Sequence, residues 1–411
     1  MTSSPQEEPT RERAVEEGSL LVVDDNEMNR DMLSRRLSRR GYTVVTAVNG
    51  QEALDRIAEQ SFDVIILDIM MPDIDGMEVL RRVREKTSAA DLPIIMATAK
   101  SESEDVVRAL KLGANDYVTK PLDFPVVHAR VQTQVLLKRA REELRLAHAR
   151  MKRDLEVAAR VQRALLPAEV PAFPGAVCAW RYKACDELAG DAVNIFGVED
   201  RWLCLYVLDV SGHGVPAALL SVSVTRNLTL SADRSSLVRA TSADGSGCVI
   251  SGPAEVARRL NVMYPMETSG ANLYFTLVYG ILDTQTNRLR FVCAGHPGPV
   301  LLRAKGTPQV VDSPALPVGM LADAEYEESE LDLRPGDRLY MYSDGLIEET
   351  NSSGEPFGQE RLLATIAGQR AASLEASLEA LIQSLVAWRG NDRFADDLSI
   401  VAVEIRQPAR A

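Results

Sequence analysis

The chain has no apolar run approaching the roughly 18–20 residues that cross a bilayer, which argues against a membrane span. It also lacks a basic excess: 46 Lys and Arg face 59 Asp and Glu, for a net charge of −13. Nucleic-acid binding needs a cationic surface to displace counterions, so no nucleic-acid partner is expected, and no helix-turn-helix pattern stands out. Cysteine is scarce. Cys178, Cys185, Cys204, Cys248 and Cys293 are scattered, form no C-x-x-C pair, and none has an arginine six residues later. That excludes a cysteine-phosphatase loop and fits buried thiols in a reducing cytoplasm. Residues 1–17 carry no signal-peptide apolar core and, being short and polar, are expected to be disordered.

What remains is ordinary globular composition spread over 411 residues, enough for two or three domains. Over residues 18–127 the apolar runs LLVVD, YTVVTA, DVIILD, PIIMATA and DYVTK alternate with stretches of helical spacing. Short β-branched runs separated by helices predict a doubly wound parallel α/β domain, with its ligands at the carboxyl ends of the strands. Glycine and proline are then missing from 126 to 166, which predicts a continuous helix over 124–166, with residues 128–166 as a linker. Leu137, Leu144, Met151, Ala158 and Leu165 recur every seven residues along it, a coiled-coil-like spacing that predicts dimerisation. From 167 to 407 strands come in pairs, and Thr284–Asn287 reads as a hairpin turn. The expectation there is α+β, a β-sandwich flanked by helices. The Ser-, Asp- and Gly-rich stretch 231–252 reads as a mobile loop.

Two sets of acidic residues stand at predicted strand ends. Asp24 and Asp25 follow the first strand and Asp68 ends the third. Crowded carboxylates repel unless a cation joins them, and an all-oxygen set suits Mg²⁺. Lys120 follows the fifth strand, where its ammonium could pair with a phosphate, and Thr98 ends the fourth. With Asp68-x-x-x-Pro72 and Lys120-Pro121, this segment resembles a response-regulator receiver domain. The resemblance implies that Asp68 is the phosphoacceptor, attacking the phosphohistidine of a sensor histidine kinase. It further implies Mg²⁺ held by Asp24, Asp25, Asp68 and the Met70 carbonyl, and a switch built from Thr98, Tyr117 and Lys120. Gly76 is expected to relieve strain in the turn after Asp75.

The second set is Asp191 in AGD, Asp209 in DVSGHG, Asp344 in YSDG and Asp396 in FADD. The glycines after Asp209 would let the Val210 carbonyl join an oxygen-only site selective for Mg²⁺ or Mn²⁺. Two such ions would activate water and stabilise a phosphoryl group during in-line displacement, with no enzyme nucleophile. The motifs LAGDAVNIF, LDVSGHG, AGHPGP, YSDGLIE and FADDLSIV, preceded by VQRALLP, resemble the type 2C (PPM) Ser/Thr phosphatases of the SpoIIE/RsbU-like branch. The resemblance implies catalytic metal binding by Asp191, Asp209, Asp344 and Asp396, assisted by the Val210 carbonyl. Two departures stand out: Ala189 replaces the first glycine of the pattern, and Asn194 replaces a second aspartate. Asn194 would ligate through its amide oxygen or hold a water, without bringing charge. His213 and His296 are expected to be structural, the first packed and the second shaping the site wall. Asp397 is expected to stabilise a turn, and Arg181 and Lys183 are possible contacts for substrate phosphate.

Joined in one chain, the two resemblances imply a cytoplasmic response regulator whose output is a protein-serine/threonine phosphatase. The branch acts on phosphorylated STAS-type anti-sigma-factor antagonists, which makes such a protein the expected substrate. A rival reading is a catalytically weak or inactive adaptor that binds a partner according to phosphorylation; Asn194 is its only support.

Overall fold

A computed structural model of the chain describes residues 18–99, 103–167, 173–230, 236–241, 248–268 and 272–407. The segment 1–17 lies outside them. Two compact units divide after Met151. Among the described residues no helix is long and apolar enough to cross a membrane.

The first unit follows the predicted alternation. It runs β1 (Ser19–Val23), α1 (Glu27–Ser38), β2 (Thr43–Ala47), α2 (Gly50–Glu59), β3 (Val64–Asp68), α3 (Gly76–Arg84), β4 (Ile94–Ala99), α4 (Ser103–Lys111), β5 (Asp116–Lys120) and α5 (Phe124–Arg163), whose residues from Lys152 on fall in the second unit. The sheet is parallel in the order β2-β1-β3-β4-β5. Successive side chains of a strand point to opposite faces. In β1 and β3, Leu21, Val23, Ile65 and Leu67 pack into one buried layer, while Leu20, Val22, Val64 and Ile66 pack into the other. Both faces are therefore apolar, and the strands read as continuous hydrophobic runs.

Helix α5 begins as part of this core. Val127, Val131 and Val135, spaced one turn apart, bury against Leu33, Leu37 and Tyr42. Each such burial contributes about 1.5–3 kcal/mol. Further along, Leu137, Leu144 and Met151 of the seven-residue repeat are all exposed, Leu144 by 70%, before Leu155 and Ala159 turn inward again.

The second unit contains β6 (Ala176–Lys183), β7 (Ala192–Val198), β8 (Trp202–Val210), α6 (Val215–Asn227), β9 (Arg239–Thr241), β10 (Cys248–Ile250), α7 (Pro253–Met263), β11 (Phe275–Asp283) and β12 (Arg288–Ala294). It continues with β13 (Val300–Leu302), β14 (Gln309–Val310), β15 (Ser329–Asp332), β16 (Arg338–Tyr342), α8 (Gly345–Glu348), α9 (Gly358–Gly368), α10 (Leu374–Arg389) and β17 (Leu398–Ile405). Two antiparallel sheets form, β15-β12-β11-β8-β7 and β14-β13-β16-β17-β6. Their facing sides share a core: Leu203, Leu205 and Val207 of β8 meet Val401 and Val403 of β17. The alternate residues of β8, Cys204, Tyr206 and Leu208, pack with residues of α6 and α7. Those of β17, Leu398, Ile400 and Ala402, pack with residues of α9 and α10. The layers are thus helix, sheet, sheet, helix.

The stretch 231–252 is only partly as expected. Residues 231–235 and 242–247 lie outside the described set, but β9 and β10 pair as an antiparallel ribbon. Leu237 and Val238 just before it are buried in the α6–α7 core, and this apolar anchor opposes a free loop.

Candidate functional sites

In the first unit the parallel pairing of β1 with β3 brings Asp24 and Asp68 to one sheet edge. Ligand oxygens of Asp24, Asp25 and Asp68 all lie within 4.8 Å of one another; Asp24 and Asp68 are buried and Asp25 is exposed. Lys120 Nζ stands 2.5 Å from Asp68 Oδ2 and 3.1 Å from Asp24 Oδ2. Burial raises the Asp68 carboxyl above its usual range, and the bond from Lys120 offsets this only in part. Burial would lower the Lys120 ammonium, but Asp68 and Asp24 outweigh it and hold the group above its usual value. Three carboxylates facing one ammonium leave a negative surplus, which suits a hard divalent cation.

Met70 follows this edge, its N–H donating to Asp68 Oδ1 at 3.4 Å. Thr98 is buried at the end of β4 and donates to the Ala99 carbonyl at 3.4 Å. Tyr117 is half-buried under the Arg130 guanidinium, 5.5 Å from the ring centre, and Arg130 is itself tied to Asp116 at 2.5 Å. Gly76 is needed where expected, and the reason is a close approach. Its backbone has no positive φ; instead, a Cβ there would lie 2.1 Å from the Asp68 carbonyl oxygen. Glycine lets α3 start against the end of β3.

Two braces escaped sequence reading. Asn29 Nδ2 donates to Asp24 Oδ2 at 3.1 Å, and Arg30 Nη1 donates to the Asp24 and Asp25 carbonyls at 2.7 and 2.9 Å. Their position in the first turn of α1 is the only signal the chain carries for them.

In the second unit, register does the gathering. Ala192 pairs with Leu208, so Asp191, one residue earlier, comes opposite Asp209. Tyr342 pairs with Ile400, which brings the chain after β16, with Asp344, beside the chain before β17, with Asp396. The Asp209 carboxyl shares a hydrogen bond with Asp191 and feels the charges of Asp344 and Asp396. The arrangement is open: among the described residues, groups whose ligand atoms close within 4.8 Å are Asp24–Asp25–Asp68 and Cys185–Asp396–Asp397.

Every one of these carboxyls is destabilised as an anion. Burial, then Asp209 and Asp397, push Asp191 well above the usual carboxylate range. Asp209 is raised to about 7 by burial and then by Asp344 and Asp396. Asp344 and Asp396 are raised chiefly by burial, with Glu348 adding to both. Glu348, four residues after Asp344, is a contributor that sequence reading missed. Asp191 Oδ2 is buried with no hydrogen-bond partner, although the Ser399 and Ser343 hydroxyls lie near the carboxyl. An acceptor-only set with an orphaned oxygen fits divalent cations bound by oxygen. Gly190 also leaves room for the Val210 carbonyl, which lies 3.0 Å from where its Cβ would stand.

Several expectations change here. Asn194 is not turned to this edge: its Oδ1 accepts the Ile195 N–H at 2.8 Å, and its side chain lies against the Tyr206 hydroxyl. His213 is exposed rather than packed, because the glycine turn around it carries its ring into solvent. It is close enough to Asp396 to lower that carboxyl's pKa in part. His296 is buried, bonded through Nδ1 to Thr276 Oγ1 at 2.6 Å, and pushed down to about 3 by burial. Thr276 pairs with Asp209 across the sheet, so this histidine is a neutral support behind the site. Arg181 reaches Glu379 at 3.5 Å and Lys183 lies over the Phe394 ring, so neither stands free. Gln162, in the last turn of α5, grips Ala189 twice: Nε2 donates to its carbonyl at 2.7 Å and Oε1 accepts its N–H at 3.2 Å.

The family model for Stage II sporulation protein E (SpoIIE) matches residues 199–406, and that for the response regulator receiver domain matches 20–132. The chain belongs to the SpoIIE family. Its first unit is a response-regulator receiver domain. The second unit has the fold of the SiaA-PP2C domain of Pseudomonas aeruginosa, which is 22% identical with a TM-score of 0.52. That match covers 63% of this chain and 98% of that one. The transcriptional regulatory protein AfsQ1 of Streptomyces coelicolor is 42% identical over 125 residues, 30% of this chain and 53% of that protein. The alkaline phosphatase synthesis transcriptional regulatory protein PhoP of Bacillus subtilis is 42% identical over 135 residues, 33% of this chain and 54% of that protein. The SpoIIE-family chain thus spans about half the length of the curated relatives it matches.

Proposed function

We propose that this chain is a response regulator, phosphorylated on Asp68, that controls a metal-dependent protein-serine/threonine phosphatase. The observation that carries the phosphatase reading is the convergence of Asp191, Asp209, Asp344 and Asp396 from both sheets, each carboxyl raised by burial and by its acidic neighbours. We assign these four, with the Val210 carbonyl, to two Mg²⁺ or Mn²⁺ ions. Bound there, the ions supply Lewis-acid activation of water and neutralise charge on a phosphoryl group. The protein orients them: Gly190 admits the Val210 carbonyl, and Thr276 and neutral His296 back Asp209.

In the receiver, Asp24, Asp25, Asp68 and the Met70 carbonyl are assigned to Mg²⁺. Lys120 is set to pair with the phosphoryl oxygens once Asp68 has accepted the group from a sensor histidine kinase, with Thr98 and Tyr117 as the switch. The substrate is inferred to be a phosphorylated STAS-type anti-sigma-factor antagonist, on the family resemblance, in a cytoplasmic setting. Residues 18–127, 128–166 and 167–407 are taken as receiver, linker and phosphatase. The exposed stripe of Leu137, Leu144 and Met151 supports a homodimer through the linker. The Gln162–Ala189 clamp supports a signal carried from α5 to the loop that bears Asp191. The rival reading, a catalytically weak or inactive adaptor that binds a partner according to phosphorylation, rests on Asn194, whose Oδ1 accepts the Ile195 N–H; the hydrolysis assay below separates the two.

The test is hydrolysis of p-nitrophenyl phosphate and of a phosphoserine STAS-type protein with Mg²⁺ or Mn²⁺, with and without beryllofluoride. Wild type should turn over, and Asp209→Ala should lose at least ~100-fold. No turnover with either metal would sink the enzyme. Turnover indifferent to beryllofluoride would sink the control.

A further inference from the structure

Asp397 does more than stabilise a turn. It is buried, and its two oxygens are occupied by backbone donors from a distant segment. Oδ1 accepts the Cys185 N–H at 2.9 Å, and Oδ2 accepts those of Gly190 and Asp191 at 2.8 and 3.4 Å. Its own N–H donates to Asp396 Oδ1 at 2.8 Å. Its carbonyl oxygen accepts from Ser343 Oγ at 3.4 Å and would lie 2.3 Å from a Cβ on Gly345, the residue after Asp344. One residue therefore touches the segments carrying three of the four predicted ligands.

We propose that Asp397 is a positioning residue that assembles the metal edge before any cation arrives, and that it is not a ligand. The inference rests on the reading that Asp191, Asp344 and Asp396 hold the cations. Its warrant is chemical. A buried carboxylate beside other carboxylates is costly, and backbone N–H groups that donate to it are the usual compensation. Here they come from 185–191, about two hundred residues earlier in the chain, so satisfying Asp397 closes that loop onto β17. Asparagine at 397 would offer one acceptor oxygen, with its NH₂ turned toward an N–H donor. The loop would lose at least one charge-assisted bond. The bond from the Asp397 N–H would still hold Asp396, so the damage should be confined to the Asp191 side.

The experiment uses the full chain, wild type against Asp397→Asn, and reads two quantities. In metal-free protein, hydrogen exchange over 185–191 should rise about tenfold, as expected for loss of a hydrogen bond to a charged group, with receiver peptides unchanged. By calorimetry, Mn²⁺ affinity should fall about tenfold with stoichiometry unaltered. Unchanged exchange over 185–191, or the loss of one Mn²⁺ per chain, would overturn the proposal. If Asp397→Asn does not fold, Asp397→Glu is read the same way, since its longer arm displaces the same loop. If wild type takes up no Mn²⁺, the metal assignment fails, and the exchange comparison still decides whether Asp397 holds the loop.

Discussion

Replacing Asp209 by asparagine should stabilise the metal-free second unit at neutral pH, although the same change removes a proposed ligand. Asp209 is partly buried, and its carboxyl is raised from the ordinary 3.8 to about 7 by burial and by Asp344 and Asp396. In the unfolded chain it ionises near 3.8. Between these values the folded state holds a proton that the unfolded state has released, so stability falls as pH climbs from about 4 to about 7. A shift of about three units corresponds to about 4 kcal/mol at full ionisation. Asparagine keeps the shape and never ionises. Metal-free Asp209→Asn should therefore match wild type near pH 4 and exceed it at pH 8, by up to about 4 kcal/mol. At 2–4 °C per kcal/mol for a unit of this size, the melting temperature should differ by about 8–16 °C. Scanning calorimetry in EDTA, following the transition of the second unit against pH, measures this. Saturating Mn²⁺ should narrow or reverse the order, since a ligand at a hundred times its Kd stabilises by about 2.7 kcal/mol. If Asp209→Asn is no more stable than wild type at pH 8 without metal, the crowded-carboxylate argument is wrong.

Two further outcomes follow from single contacts. Gly76→Ala places a methyl 2.1 Å from the Asp68 carbonyl, so the receiver should lose about 1–3 kcal/mol of stability in urea unfolding and phosphoryl uptake on Asp68 should slow. Leu144→Glu on the exposed stripe of α5 should shift sedimentation toward monomer while leaving both folds intact by circular dichroism.

Some of this molecule was written locally. The five β-branched runs of the receiver, the long helix that follows them and the hairpin at Thr284–Asn287 depend on near neighbours, and all three are present as strands, a helix and a turn. Burial of both sheet faces is equally legible, because a strand covered on each side has to be apolar at every position. Asp24, Asp68, Asp209 and Asp344 could be picked out because each ends an apolar run, and strand ends are where such folds expose function. Local pattern failed where one contact joins distant segments. Asn194 lies against Tyr206 because the β7–β8 register sets the two opposite each other, which no local pattern announces. His213 is exposed because glycine turns decide direction, not hydropathy. Gln162 and Asp397 look like ordinary surface polar residues until β17 and α5 are brought to the 185–191 loop. Residue type and spacing determined which groups are available. Strand register across two sheets, closed by backbone hydrogen bonds over some two hundred residues, decided which of them meet.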